Sequence, residues 1–204
     1  MTGAPDVLVV VPAGGTAHRL GGGDKTALVV GGRTVLRRLL ADLTAWPTVV
    51  VADPPPAAAR ADVPHARWCR EDPRGAGPLA ALAAGLATAP GARVLVAVAG
   101  DQPFAGRAVP ALLAALDGAP EADAALAAGP DGRVQPLLGA YRTAAVGAVL
   151  RGPVADRPVR ALWAHLRIVT VDLPAVHVLD VDDAADLARA RAAARREDGP
   201  GARS

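Results

Sequence analysis

The strongest constraint on the fold is a set of short runs with almost no polar residue: Val7 to Val11, Thr48 to Ala52, and the "VLVAVA" stretch ending at Ala99. A strand with one face in water alternates apolar and polar positions. A strand without a polar face must be covered on both sides, as in a parallel sheet between helical layers. Helical patterns lie between the runs. Thr34 to Ala45 places Val35, Leu36, Leu39, Leu40 and Leu43 on one side, with Thr34 as its cap. Helices are also expected over Pro78 to Thr88, Val109 to Leu116, Thr143 to Leu150 and Pro158 to Leu166. A last one, Asp183 to Arg196, has an Asp cap and basic residues toward its C-terminus, which suits the helix dipole.

Further strands are expected near Arg67 to Cys69, Asp123 to Ala128, Ile168 to Asp172 and His177 to Val181. "DPPPAAAR" suits a surface loop or the start of a short helix, because three prolines cannot sit in a central strand. Asp131-Gly132 is a turn signal. The "RVQPLLGAYR" segment after it contains Pro136 and is expected to be an edge or bent strand. Strands alternating with helices through short connections imply an α/β fold: a three-layer α/β/α sandwich around a mainly parallel sheet. With 204 residues, the expected organisation is one domain over 1–196 and a disordered tail, "EDGPGARS", over 197–204.

Composition narrows the function. The 22 basic and 20 acidic residues leave a net charge of only +2, and the arginines are scattered. Aromatic residues are 2% of the chain. A nucleic-acid surface needs clustered cations with stacking aromatics, so that class is set aside. No apolar run is long enough for a membrane span. A single cysteine, Cys69, excludes an intrachain disulfide and suits a reducing cytoplasm. The four histidines share no metal-ligand spacing.

The first strand runs into "PAGGTAHRLGGGDKT", residues 12 to 26. A Gly-rich loop between a strand and a helix suits an anion, because backbone N–H groups reach it unobstructed. Two well-known loops do not fit. The P-loop spacing requires Gly immediately before the Lys, where this chain has Asp24. The dinucleotide fingerprint fails because the glycine after Gly15 is Gly21. Two other distinctive stretches follow expected strands: "GDQPF" from Gly100 and "DVDD" from Asp180. In open α/β sheets, ligands bind beyond the carboxyl ends of the strands.

The loop spacing "AGG-x3-R-x-GG-x-DK" resembles the opening of the molybdenum cofactor guanylyltransferases, within the nucleotidyltransferases of Rossmann-like fold. The resemblance continues in order through "EDPRGAGPLAALAAGL" (71–86), "VAVAGDQPF" (96–104), "RVQPLLGAYR" (133–142) and "LDVDDAADLARA" (179–190). It implies GMP transfer from GTP to the terminal phosphate of a molybdopterin-type cofactor, with Mg²⁺ and release of pyrophosphate. It also implies possible contact with molybdoenzyme maturation proteins, and a cytoplasmic location.

The resemblance assigns roles. Ala13, Gly14 and Gly15 would meet the nucleotide through backbone N–H groups. Arg19 would hold the β- and γ-phosphates, Lys25 the charge developing near the α-phosphate, and Asp101 would bind Mg²⁺. Asp72 is expected near the base or substrate. Gln135 and Asp180 are substrate-site candidates, and Asp182 is a candidate to join Asp101 at the metal. Pro12 departs from the usual Leu, removing an N–H where the loop meets the nucleotide. Asp180 and Asp182 stand where guanylyltransferases often carry Asn, and "AADL" replaces "TPEDL". Other readings stay open at this point: CMP transfer to the same cofactor, guanylyl transfer to another phosphorylated acceptor, or a non-catalytic nucleotide-binding partner. Asp180, Asp182 and Asp183 also suit a strand exit and helix cap.

Overall fold

A computed structural model describes residues 6–14, 16–17 and 23–197. Its first strand, β1 (Val7–Pro12), shows why the valine run dictates the architecture. Leu8 and Val10 point into one core, with Leu79, Leu82, Val146 and Leu150. Val9 and Val11 point into the other, with Leu39, Leu40, Leu43, Val109, Leu112 and Leu116. Successive strand side chains face opposite ways, so a run of valines feeds two cores at once. Each buried Val or Leu contributes about 1.5–3 kcal/mol over its exposed form.

The other elements follow in chain order. The short strands β2 (Thr16–Ala17) and β3 (Gly23–Asp24) pair antiparallel. So do β4 (Val29–Val30) and β5 (Arg33–Thr34), joined through Gly31 and Gly32, both at positive φ. Two consecutive positive φ values define the hairpin turn whose twist matches its strands, and glycine adopts them without strain. This hairpin was not among the expected elements. Helix α1 (Val35–Ala41) is capped by Thr34, whose Oγ1 accepts from Arg37 N at 3.2 Å. It ends earlier than the pattern suggests, and turns carry Leu43 into the core.

Strand β6 (Thr48–Val51), helix α2 (Ala57–Ala61), strand β7 (Ala66–Cys69) and helix α3 (Pro78–Ala87) come next. Then follow β8 (Val94–Val98), α4 (Val109–Gly118), β9 (Ala124–Ala128), β10 (Val134–Arg142), α5 (Thr143–Arg151), β11 (Ile168–Asp172) and α6 (Ala184–Glu197). The sheet order is β11-β9-β10-β8-β1-β6-β7. Within it only β10 runs antiparallel to its neighbours. Helices α1 and α4 cover one face and α3 and α5 the other, so the sandwich is the expected one.

The tail does not begin at 197: Glu197 ends α6 and pairs with Arg38 and Arg107, and 198–204 lie outside the described residues. Three further expectations are corrected. The "RVQPLLGAYR" strand is bent, with a register shift between Gln135 and Gly139, but it lies inside the sheet between β8 and β9. The shift accommodates Pro136, which has no N–H for the ladder. His177 to Val181 is not a strand: it forms a turn and loop, opened by His177 N donating to Pro174 O. Its apolarity comes from plugging the cores with Val178 and Val181, not from pairing. Pro158 to Leu166 holds one 3₁₀ turn, Val159–Leu162, in place of a helix. That turn already seats Leu162 and lays Trp163 and Leu166 on the same cluster.

Topology fixes where a ligand goes. From β1 the chain builds β6 and β7 on one side, then crosses back to place β8 on the other. The carboxyl ends of β1 and β8 therefore flank a switch point, where a crevice opens.

Candidate active site

The crevice is tight at its base. Gly100 N donates to Pro12 O at 2.9 Å. A Cβ on Gly100 would lie 2.9 Å from both Pro12 O and the Ala13 Cβ, so a glycine is needed for the two strand exits to meet. Ala13 N donates to Val51 O at 3.1 Å and is committed to the sheet. Gly14 has nothing within 4 Å of a would-be Cβ, so the space on that side of its backbone is open. The hydrogen-bond alternation also places Pro12. Its carbonyl faces β8, so its missing N–H is a loss to the β8 ladder and not to the pocket.

A cavity of about 300 Å³ opens there, lined by Pro12, Ala13, Gly14, Lys25, Glu71 and Asp101 among others. A second, of about 560 Å³, shares Ala13, Gly14, Thr26, Glu71 and Gly75 with it and is walled by Leu36, Leu40, Val63 and Trp68. Two adjoining cavities of this size, apolar with a few charged groups, suit a small-molecule ligand.

Lys25 is positioned by its neighbour. Asp24 caps the 3₁₀ turn Lys25–Ala27, its Oδ1 accepting from Thr26 N at 2.8 Å and from Thr26 Oγ1 at 2.7 Å. The Asp-Lys pair is therefore not an ion pair: the acid builds the turn and the lysine points away. Lys25 Nζ donates to Asp182 and lies 3.8 Å from Asp101 Oδ2. Burial works against its charge, but the hydrogen bond and charge of Asp182, with Asp101 and Asp180, hold its pKa above the ordinary lysine value.

The acids crowd one another. Burial pushes the Asp101 carboxyl up; Lys25 pulls it down, and Asp182 and Asp180 push it up again. Burial and then the charge of Asp182 also raise Asp180. Asp182 is held by a reciprocal cap at the start of α6. Asp183 Oδ1 accepts from Ala185 N and Asp186 N, while Asp186 Oδ2 accepts from Asp182 N at 3.1 Å and Asp183 N at 3.0 Å. Capping thus falls to Asp183 and Asp186, which leaves the Asp182 side chain for Lys25.

The structure brings Pro12, Ala13, Gly14, Lys25, Asp101, Asp180 and Asp182 to one edge. Asp72 is exposed and does not line the cavities described; its neighbour Glu71 lines both, and accepts from Gly75 N at 3.0 Å. Glu71 was missed, although it too follows a strand exit. Gln135 binds protein groups on both ends of its amide. Gly15 and Arg19 lie outside the described residues.

Two carboxylates fit Mg²⁺ better than a metal that demands a full protein cage. Among the described residues no group of three His, Cys, Asp or Glu is arranged to hold a metal. Mg²⁺ typically takes one or two carboxylates and completes its shell with phosphate and water.

Comparison with known proteins places the chain in a family. Residues 9–171 match the MobA-like NTP transferase domain. The chain is 34% identical, over 212 aligned positions, to the molybdenum cofactor guanylyltransferase of Bradyrhizobium sp. (strain ORS 278), covering 97% of this chain and 96% of that one. It is 35% identical to the enzyme of the same name from Acidiphilium cryptum (strain JF-5), over 70% of each. The crystal structure of molybdopterin-guanine dinucleotide biosynthesis protein A from Archaeoglobus fulgidus superposes with a TM-score of 0.71 at 21% identity, covering 93% of this chain and 99% of that one. With the matched domain spanning the switch point and both strand exits, the chain belongs to the MobA-like NTP transferase family.

Proposed function

We propose that the protein transfers GMP from GTP to the terminal phosphate of a molybdopterin-type cofactor. The observation that carries this reading is Lys25 set between Asp101 and Asp182 at the mouth of the Gly14 cavity. In the reaction an acceptor phosphate oxygen forms a bond to the α-phosphorus. The bond from that phosphorus to the β-bridging oxygen breaks, and pyrophosphate leaves with the electron pair. Nothing in this step needs a nucleophilic side chain. The protein's work is to bring two polyanions together and offset the charge that builds up.

Each group has a part. The Gly14 backbone lets the triphosphate approach closely. Lys25, kept protonated by its acids, faces the charge developing on the transferred phosphate. Asp101 and Asp182 would hold Mg²⁺, which when bound neutralises phosphate charge and orients the leaving group. Arg19 is proposed to hold the β- and γ-phosphates and Gly15 to extend the Gly14 backbone contact, as the family pattern implies. Asp72 and Asp180 are kept as candidates for the base side and the acceptor side. The reading assigns the reaction to the cytoplasm, where GTP is present, and includes hand-over of the product to molybdoenzyme maturation proteins. No described helix is long and apolar enough to cross a membrane.

The test is pyrophosphate release from GTP, CTP and ATP with Mg²⁺ and molybdopterin. Preference for GTP is expected. Preference for CTP would replace GMP transfer by CMP transfer, and nucleotide binding without turnover on any acceptor would reduce the protein to a binding partner.

A further inference from the structure

The segment carrying Asp180 and Asp182 has no regular secondary structure, so no ladder fixes its distance from Asp101. Other bonds do. Val181 N donates to Asp101 O at 3.1 Å. Gln135 Nε2 donates to Val178 O at 2.9 Å, and Gln135 Oε1 accepts from Nε2 of Gln102, the residue after Asp101. At the far end, Asp186 holds the Asp182 and Asp183 N–H groups. A line of two amides therefore joins the strand exit that carries Asp101 to the loop that carries Asp182.

Gln102 gives a second, independent sign. It is 4% exposed, and its Oε1 is buried with no partner among the described residues. An orphaned buried carbonyl is costly, and an apolar side chain of similar shape would avoid that cost. The carboxamide gives up that stability while its other end holds Gln135. The choice of amides also has a physical reason. A carboxylate here would add to the crowding that already raises Asp101 and Asp180, and a lysine would compete with Lys25 for Asp182. A neutral group that both donates and accepts does neither.

We infer that Gln102 and Gln135 act as positioning residues: a two-amide relay that sets the Asp182 carboxylate against Asp101. This rests on the reading of those acids as the metal- and phosphate-facing pair. It reassigns Gln135 from a substrate contact to a brace behind the site. Gln135 pairs with Ala127 at the carboxyl end of β9, just before the register shift, which sets it beside the strand exits.

The experiment uses the full chain with Gln135→Ala and Gln135→Glu. The Glu variant can still accept from Gln102 but cannot donate to Val178 O, and it guards against a misfolded Ala variant. Amide hydrogen exchange is followed without metal, and Mn²⁺ binding with GTP is followed by electron paramagnetic resonance. Both variants are expected to speed exchange over 178–182 about tenfold or more while β1 and α4 keep their protection. The apparent Mn²⁺ dissociation constant should rise about tenfold or more, the usual effect of losing an outer-shell partner. Unchanged exchange over 178–182 overturns the relay, and so does faster exchange with unchanged Mn²⁺ affinity. Steady-state kinetics on the acceptor accompanies both measurements, and a raised acceptor KM as the sole effect overturns the relay and returns Gln135 to the substrate. Failure of the GMP-transfer reading would appear in the unmodified protein as no Mn²⁺ uptake with GTP, leaving the exchange rates to decide the brace.

Discussion

Lys25 donates a hydrogen bond to Asp182, 157 positions further along the chain. The contact joins the Gly-rich loop after β1 to the cap of α6. It gives the lysine a counter-charge beside the cavity, in place of the neighbouring Asp24. If Lys25 offsets charge on the transferred phosphate, its loss should act mainly on turnover. Lys25→Ala is expected to lower kcat about 10²–10³-fold, the usual effect of removing one preorganised electrostatic group. In a cycle with Asp182→Asn the two effects should not add, because the groups touch. Steady-state kinetics of the four proteins measures both, and additive losses would show that the pair does not work as a unit.

The two acids differ in setting. Asp101 is the less exposed carboxylate and sits at the strand exit, while Asp182 is more exposed and loop-borne. Asp101→Asn should lower Mg²⁺-supported turnover to about 1% of the original rate or less, a loss on the scale of one essential charge. Asp182→Asn should raise the Mg²⁺ concentration needed for half-maximal rate yet keep measurable turnover at saturating metal, since Asp182 is the more exposed acid and Asp101 is still present. A Mg²⁺ titration of each variant decides. Robust turnover by Asp101→Ala with Mg²⁺ alone would remove its proposed role.

Much of this arrangement is legible in the residues, for local reasons. β1 and β8 announce themselves because burial on both faces removes every polar residue, and α6 carries its own cap and basic end. The same logic misreads His177 to Val181, since Val178 and Val181 are buried by plugging cores and burial alone does not say how the backbone pairs. The interior place of β10 is hidden because Pro136 reads as an edge signal, whereas a bulge absorbs it. The Gly31–Gly32 turn was overshadowed by the longer glycine run before it. Loop motifs located Lys25 and Asp101, but the choice between Glu71 and Asp72 depends on which way the chain leaves β7. The Lys25–Asp182 bond itself depends on the whole sheet order.

Two glycines of the site should respond to the same substitution in opposite ways. A methyl on Gly100 would press on Pro12 O and Ala13, where neither strand exit has room. Gly100→Ala is expected to destabilise the protein by about 1–3 kcal/mol through overpacking and to lower turnover by displacing Asp101. A methyl on Gly14 meets nothing within 4 Å. Gly14→Ala should leave the melting temperature of the free protein nearly unchanged while weakening nucleotide binding, because it stands where the phosphate chain is proposed to approach the backbone. Thermal melts with and without GTP separate the two outcomes, and a large Tm loss in Gly14→Ala would contradict the open loop.

At the opposite end of the sheet, Asp123 ties β9 to β11. Its Oδ2 accepts from Arg167 N at 2.9 Å and Arg167 Nε at 3.1 Å, and its Oδ1 from Arg167 Nη2 at 3.1 Å. These side-chain and backbone bonds hold its carboxyl below the usual aspartate range. A carboxylate with a lowered pKa in the folded state binds its proton more weakly there than in the unfolded chain. It therefore contributes stability above the unfolded value, about 3.9, and loses it as the pH falls through the folded one. Asp123→Asn keeps an oxygen to accept from Arg167 N and Nε, and removes the charge together with the acceptor for Arg167 Nη2. Urea unfolding of both proteins from pH 7 downward should show a stability gap at neutral pH, modest because Arg167 is largely exposed. The gap should close below pH 4, and a gap that widens toward acid would reverse the assigned sign.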